Sequence, residues 1–434
     1  MSTSTTGALA PLRHAPFRYL AGGRLVTMLG NAVAPIALAF AVLDLTGSAG
    51  DLGLVVAARS ATMAVFLLFG GVVADRLPRH LVLVGSGVLA GLSQATVAAM
   101  VLTGNATVGR LVIFSAVNGL ASAFAFPASS ALVAQTVPPG IRKQANALNR
   151  LGTNSALILG SSLGGVLVAA FGGGVGLAVD ASTFVLAAVL FAMVRVPDHR
   201  GAGNESAGAL RELRVGWREF VAHTWVWVVV LGFCFYNAAL VGGLNVLGPV
   251  VADHTFGRTA WGLVLAAQTG GMVVGALIAM RLRVRRLLLL GVVGCMPSAL
   301  LLVALAVTPY TAVLVAAAFL TGLGVEQFGI AWEVSLQEHI PADKLARVYS
   351  YDALGSLMAV PVGQVVAGPL ADALGIRTAL LLSAGVVAVA VFGMLASRDV
   401  QRLVHDPAPA RPDHTAADPA VGTEPATSLE PAGA

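Results

Sequence analysis

Twelve apolar stretches, each near or above the ~20 residues that a helix needs to cross a bilayer, constrain this chain more than any other feature. They run roughly over 19–43, 52–74, 81–103, 109–135, 146–170, 175–195, 224–250, 259–281, 286–307, 311–337, 346–372 and 376–396. Hydrocarbon offers backbone N–H and C=O groups no partner, so each stretch has to bond within itself as a helix. The fold class that follows is an all-α integral membrane protein with twelve transmembrane helices. Several stretches hold more Gly and Pro than a soluble helix tolerates, but membrane helices accept both. Composition agrees: 57% of residues are hydrophobic and 11% charged, where a soluble domain carries about 25% charged residues.

The formal net charge of +5 is distributed among short loops between apolar runs. That is the orientation rule of membrane proteins, and it excludes a nucleic-acid partner. With both termini inside, 22 of the 26 Lys and Arg residues fall on the cytoplasmic side. Arg110, Arg258 and Arg377 fall outside, and Arg59 lies within the second stretch. The expected location is the cell membrane, with both termini cytoplasmic. The N-terminus lacks the short apolar core and cleavage site of a signal peptide. Cys234 and Cys295 sit inside apolar runs with no ligand spacing around them, so neither a metal nor a disulfide is expected. No phosphate-cradling loop or nucleophile constellation is present, so neither a cofactor nor enzyme chemistry is expected.

The chain repeats. Leu-Gly-Thr at 151–153 meets Leu-Gly-Ser at 354–356, an offset of 203 that also carries Gly160 onto Gly363, Gly165 onto Gly368 and Val137-Pro138 onto Ile340-Pro341. At 204, Gly71 maps to Gly275 and Phe124 to Phe328. The expected organisation is a cytoplasmic segment 1–16, a six-helix half 17–196, a linker 197–222, a second six-helix half 223–396 and a disordered tail 397–434. In the linker, Leu210, Leu213, Trp217 and Phe220 fall at helical spacing, as in an amphipathic helix on the inner membrane face. Parallel six-helix repeats place a substrate path at their interface, near the bilayer midplane.

Between the second and third stretches the chain reads Gly71-x-x-x-Asp75-Arg76-x-Pro78-Arg79-His80. Gly71 permits close helix approach. Asp75 sets a carboxylate where a neighbouring helix N-terminus could hold it by its dipole; alternatively the loop only fixes topology. The loop resembles the signature of the major facilitator superfamily, with Pro78 where the family has Gly and His80 where it has Arg or Lys. The resemblance implies that Asp75, Arg76 and Arg79 hold the cytoplasmic side shut, with Asp75 against span 11. Further stretches are similar to a bacterial efflux branch that includes macrolide-efflux and enterobactin-exporter-like proteins. They are FAFPASSALVAQTVP with QANALN (124–149), VDASTFVL (179–186), GWREF with WVW (216–227) and SLQEHIPADKLARVYSYDALGSLMAVPVGQVVAGPL (335–370). On span 5, Gly160-Ser-Ser-Leu-Gly164-Gly165 resembles a worn antiporter element, with Ser161 replacing its Pro.

Ionisable groups inside a membrane are costly and mark function by default. Glu326 on span 10 is a proton-carrier candidate, or a structural hydrogen-bonding group. Arg59 either holds a substrate anion or neutralises a carboxylate. Asp180, at the start of span 6, either caps its helix or moves protons. Glu333 and Glu338 are expected at the interface, and Asp44 and Asp51 in solvent. Asn31 stands where many members of the branch carry Asp, so coupling would fall on Glu326 or Asp180, or be absent. Asn31, Asn118, Asn237, Asn245 and Gln268 make a sparse polar lining suited to amphipathic organic molecules, and Phe124, Phe126, Phe328 and Trp332 either stack on a ligand or pack. The reading is a monomeric exporter of drugs or secondary metabolites, working by alternating access with proton antiport. A siderophore exporter of the same fold and a transport-inactive sensor or scaffold are the alternatives.

Overall fold

A computed structural model of the chain describes residues 9–195, 217, 218, 220–282 and 284–405. Within its helices, the side chains at 68–76, 127, 130, 131, 134, 139, 143, 342, 343, 346, 347, 350 and 357 lie outside that description. The membrane-length helices are α1 (Ala15–Thr46), α2 (Ala49–Arg76), α3 (Arg79–Leu102), α4 (Val108–Thr136), α5 (Arg142–Phe171) and α6 (Gly173–Ala192). They continue as α7 (Thr224–His254), α8 (Arg258–Ala279), α9 (Leu287–Val307), α10 (Thr311–His339), α11 (Ala342–Leu357 and Val360–Leu374) and α12 (Ile376–Ala396). Twelve of the helices are long and apolar enough to span a bilayer, and no strand occurs among the described residues.

Proline punctuates three spans in the second half. A proline has no N–H and crowds the carbonyl four residues earlier, so the preceding turn must loosen. In α7 a π turn, Gly243–Leu247, precedes Pro249. Breaks at Cys295–Met296 in α9 and Met358–Ala359 in α11 precede Pro297 and Pro361. At one end of the bundle, glycines at positive φ turn the chain between spans: Gly47, Gly104, Gly172, Gly257 and Gly375. Gly172 and Gly375 stand 203 residues apart and share φ values of 82° and 83°. This is the Gly47 end; the opposite one is the Pro78 end.

The two halves repeat their packing. In the first, α1 packs on α5 and α6, α2 on α4, and α3 on α4 and α6; in the second, α7 packs on α11 and α12, α8 on α10, and α9 on α10 and α12. Between halves the extensive pairings are α5 with α8 and α2 with α11. The main apolar core runs across both halves toward the Gly47 end, joining Ile36, Phe40 and Leu52 to Leu247, Val250 and Trp261. A separate core at the Pro78 end of the first half, around Phe17, Leu20, Leu83, Leu132 and Phe191, contains residues of that half alone. The halves are therefore joined at the Gly47 end.

Two expectations about the connections change. Most of the linker lies outside the described residues, but Trp217 stacks on Phe220 with ring centroids 5.7 Å apart, and both rings meet Tyr351 of α11. Phe220 is buried in the core, not spread on a membrane face. The tail is ordered at its start. Arg398–Arg402 is helical, Val400 is fully buried, and the His405 N–H donates to the Arg285 carbonyl at 2.8 Å. The expectation of disorder from 397 rests on a Pro-, Ala-, Asp- and Thr-rich tail without periodicity; at its start two apolar anchors, Val400 and Leu403, pack against the core. Residues 406–434 lie outside the description.

Candidate functional site

Glycines sort into two jobs, and glycines matched by the sequence repeat share the same one. A Cβ on Gly160 would stand 2.7 Å from the Leu29 carbonyl oxygen of α1, and one on Gly363 would strike the Ala238 carbonyl of α7. Both lie inside a half. Gly164 likewise meets Val33 of α1. Gly165 and Gly368, five residues further on, face the other half: Gly165 against Gly262 of α8, and Gly368 against Gly50 of α2. Two seams related by the repeat thus let backbones touch across the interface, as small residues do in membranes. Side chains at those positions would hold the halves apart.

Beside the first seam sits an ion-pair clasp. The Arg258 guanidinium at the start of α8 donates through Nη1 to Asp44 Oδ2 of α1 at 2.9 Å and through Nη2 to Asp44 Oδ1. Its Nε donates to Asp253 Oδ1 at 2.7 Å, and its Cζ lies 4.6 Å from the Phe40 ring centroid. Asp44 is therefore a cross-half ligand and not a merely solvated loop carboxylate. Its partner lies 214 residues away, beyond the reach of any local pattern.

Inside the first half, Asp180 is 1% exposed and well within α6, whose N-cap is Gly172. It cannot cap the helix. Arg59 of α2 acts on it electrostatically, and Thr183 Oγ1 donates to the Asp180 backbone carbonyl at 2.7 Å; a Cβ on Gly30 would meet both Thr183 Oγ1 and Asp180 Oδ1. Asp180 and Arg59 are thus brought together, with Asn31 next in sequence to the glycine that makes room. Asn118 is buried in the same half and does not line an open path. Arg59 and Gln268 occupy matching places: a Cβ on Gly119 of α4 would strike the Arg59 carbonyl, and one on Gly322 of α10 the Gln268 carbonyl.

Glu326 is half-buried on α10, beside Gly275 of α8, and Arg150 of α5 acts on its carboxylate from the other half. The neighbouring Gln327 bonds the Gly275 carbonyl through Nε2 at 2.5 Å. Asn245 is exposed on the π turn and Asn31 and Gln268 are half-buried, while Asn237 Nδ2 is committed to the Ser356 carbonyl at 3.0 Å. Phe328 and Trp332 are buried among Phe233 and Trp225, so they pack rather than stack on a ligand. Glu338 pairs with His405 at 2.8 Å. Asp352 of α11 was not among the expected sites. It accepts from Trp332 Nε1 at 2.9 Å and Ser356 Oγ at 3.1 Å; the signal was a carboxylate six residues inside an apolar stretch that opens at 346.

Of the signature loop, Arg79 is the first residue of α3, after Pro78. Gly71, Asp75 and Arg76 fall on the last turns of α2, and their side chains lie outside the described residues. No group of three metal-ligating side chains occurs among the described residues.

Comparison with known proteins follows the same lines. The family model described as Major Facilitator Superfamily matches residues 20–352 and 235–426. The multidrug efflux pump Tap of Mycolicibacterium fortuitum is 27% identical over 401 residues, covering 87% of this chain and 96% of Tap. Macrolide efflux protein A of Streptococcus pyogenes is 22% identical, covering 83% and 90%. Among solved structures, the nucleoside transporter NupG superposes with a TM-score of 0.69 at 14% identity over 88% of this chain and 98% of that one. An inward-facing bacterial homologue of the lysosomal transporter Spinster also gives 0.69, at 16% identity over 92% and 99%. At such identities the structural likeness shows the fold alone. The match to the family across both halves identifies the chain as a membrane transporter, not an enzyme, and as a member of the Major Facilitator Superfamily.

Proposed function

We propose that this protein exports amphipathic or lipophilic small molecules by alternating access, driven by proton influx. Efflux is supported by the relatives, Tap and macrolide efflux protein A, that share most of its length. The observation that carries alternating access is the asymmetry of the interface. Backbone seams, a shared core and an ion-pair clasp join the halves at the Gly47 end, while the Pro78 end of the first half keeps a core of its own. Two rigid halves joined at one end, with separate packing at the other, would enclose a cavity that changes sides when they rock. The Pro78 end is assigned to the cytoplasm by its surplus of Lys and Arg. In the reverse state, Asp75, Arg76 and Arg79 hold that end shut.

Coupling is assigned to Glu326. It is half-buried on α10, and the field of Arg150 in the opposite half acts on its carboxylate, so protonation removes an attraction between halves. Asp180 is enclosed with Arg59 inside one half and lacks that leverage. The sparse polar set of Asn31, Asn245 and Gln268 supports an amphipathic cargo.

Everted vesicles with an acid interior and a pH-sensitive dye test the reading. Lipophilic cations, macrolides and siderophores are added singly. Alkalinisation that needs the protein and is lost in Asp75→Asn supports drug–proton antiport. Protein-dependent uptake of a cargo with no change in pH removes the proton-driven part of the reading.

A further inference from the structure

The clasp at the Gly47 end has a feature that a simple lock does not need: its cation has two carboxylates, one from each half. Asp253 lies at the end of α7 and Arg258 at the start of α8. The tight turn between them, with Gly257 at φ 90° and its N–H bonded to the Ala252 carbonyl at 2.7 Å, fixes their separation. That pair moves as one body. The partners that would be lost if the halves parted, Asp44 and the Phe40 ring, both belong to α1.

We infer that Asp253 is a positioning residue for opening: it retains Arg258 when Asp44 leaves, and it repels Asp44 while the clasp is closed. The inference rests on the alternating-access reading and concerns how its outer gate is balanced. The Arg258 side chain is 22% exposed and Asp44 47%. On separation Asp44 rehydrates readily, whereas a half-buried guanidinium stripped of its counter-charge is costly. The Nε bond to Asp253 removes that cost, because the cation leaves with one charge-assisted hydrogen bond intact. In the closed state the two carboxylates share a single cation, and their mutual repulsion offsets part of the attraction that Arg258 supplies. A lone Arg–Asp pair would bind the halves more tightly and open less readily.

Opposite signs follow for two similar substitutions. Asp44→Asn removes the cross-half attraction and favours separation. Asp253→Asn removes the repulsion and the fallback partner together and favours closure. Each effect is about two- to five-fold on the open-to-closed ratio, the range of a partly exposed ion pair.

Spin labels on Asn105→Cys and Tyr310→Cys, both exposed at the Gly47 end of opposite halves, report the ratio as a distance distribution in nanodiscs. The background carries Cys234→Ala, Cys295 being fully buried. Should the starting protein show one distance, the pair is read in Gly262→Ala, whose Cβ would press 2.6 Å from the Ser161 carbonyl oxygen and favour separation. The expected result is a larger long-distance fraction in Asp44→Asn and a smaller one in Asp253→Asn. Within Asp44→Asn, adding Asp253→Asn then changes little. Movement of both variants in the same direction, or of neither, overturns the inference. No substrate is needed, so a cargo panel that failed to export would leave these distances decisive.

Discussion

At the scale of single residues, charge decides what each side chain can do, and position decides whether it matters. Glu326 and Asp180 are both carboxylates inside spans, yet the basic group acting on Glu326 is Arg150 of the opposite half, and that acting on Asp180 is Arg59 of its own half. Glu326→Gln keeps the shape and one hydrogen-bonding oxygen but cannot release a proton. It should abolish pH-driven export in vesicles while ligand binding, followed by intrinsic tryptophan fluorescence, stays near that of the unaltered protein. Wild-type dye signals from that variant would return Glu326 to a packing role. Glu326 was legible in the sequence as a charge far from either end of its span. The influence of Arg150 on it was not legible, because Arg150 sits near the end of an apolar run in the other half and acts on Glu326 only through the folded arrangement.

At the scale of helices, the sequence repeat was the most informative signal. An offset of 203 matched Gly160 to Gly363 and Gly165 to Gly368, and the structure gives each pair one common job. Composition alone could not have separated them among 50 glycines. The distinction predicts two different failures. Gly160→Ala crowds α1 and α5 inside one half and should lower thermal stability by about 1–3 kcal/mol, as over-packing does. Gly165→Ala crowds α5 against α8 and lets the halves separate at the Gly47 end, so melting in detergent should change less. The label distance at that end should lengthen. Equal loss of stability in both variants would mean that the seam is ordinary core. The clasp itself lay beyond sequence reading, since Asp44 and Arg258 each look like solvated loop residues until two helix ends are brought together.

At the scale of the whole molecule, two connections tie the second half at the Pro78 end. The linker closes on Tyr351 through Trp217 and Phe220, and the tail closes on the α8–α9 connection and on Glu338 through His405. Removing 406–434 should leave the melting temperature unchanged. Removing 398–434 also exposes the pocket of Val400 and frees Glu338, and should cost about 1–3 kcal/mol in detergent. Orientation is the remaining property of the whole chain, and it sets the direction of transport. Each Lys or Arg near a span end resists translocation, so the end richest in them stays where insertion began. With most of its basic residues at the Pro78 end, the protein should display Asn105 outside and His80 inside. Single cysteines at these exposed or half-exposed positions, in the Cys234→Ala background, can be challenged in intact cells with a membrane-impermeant maleimide. Labelling of Asn105→Cys but not His80→Cys places the closed end outside. The joined end of the halves then lies outside, which leaves the cytoplasmic side as the one from which the proposed exporter loads. The reverse pattern would put the joined end on the cytoplasmic side and make the structure a state that has already released its cargo.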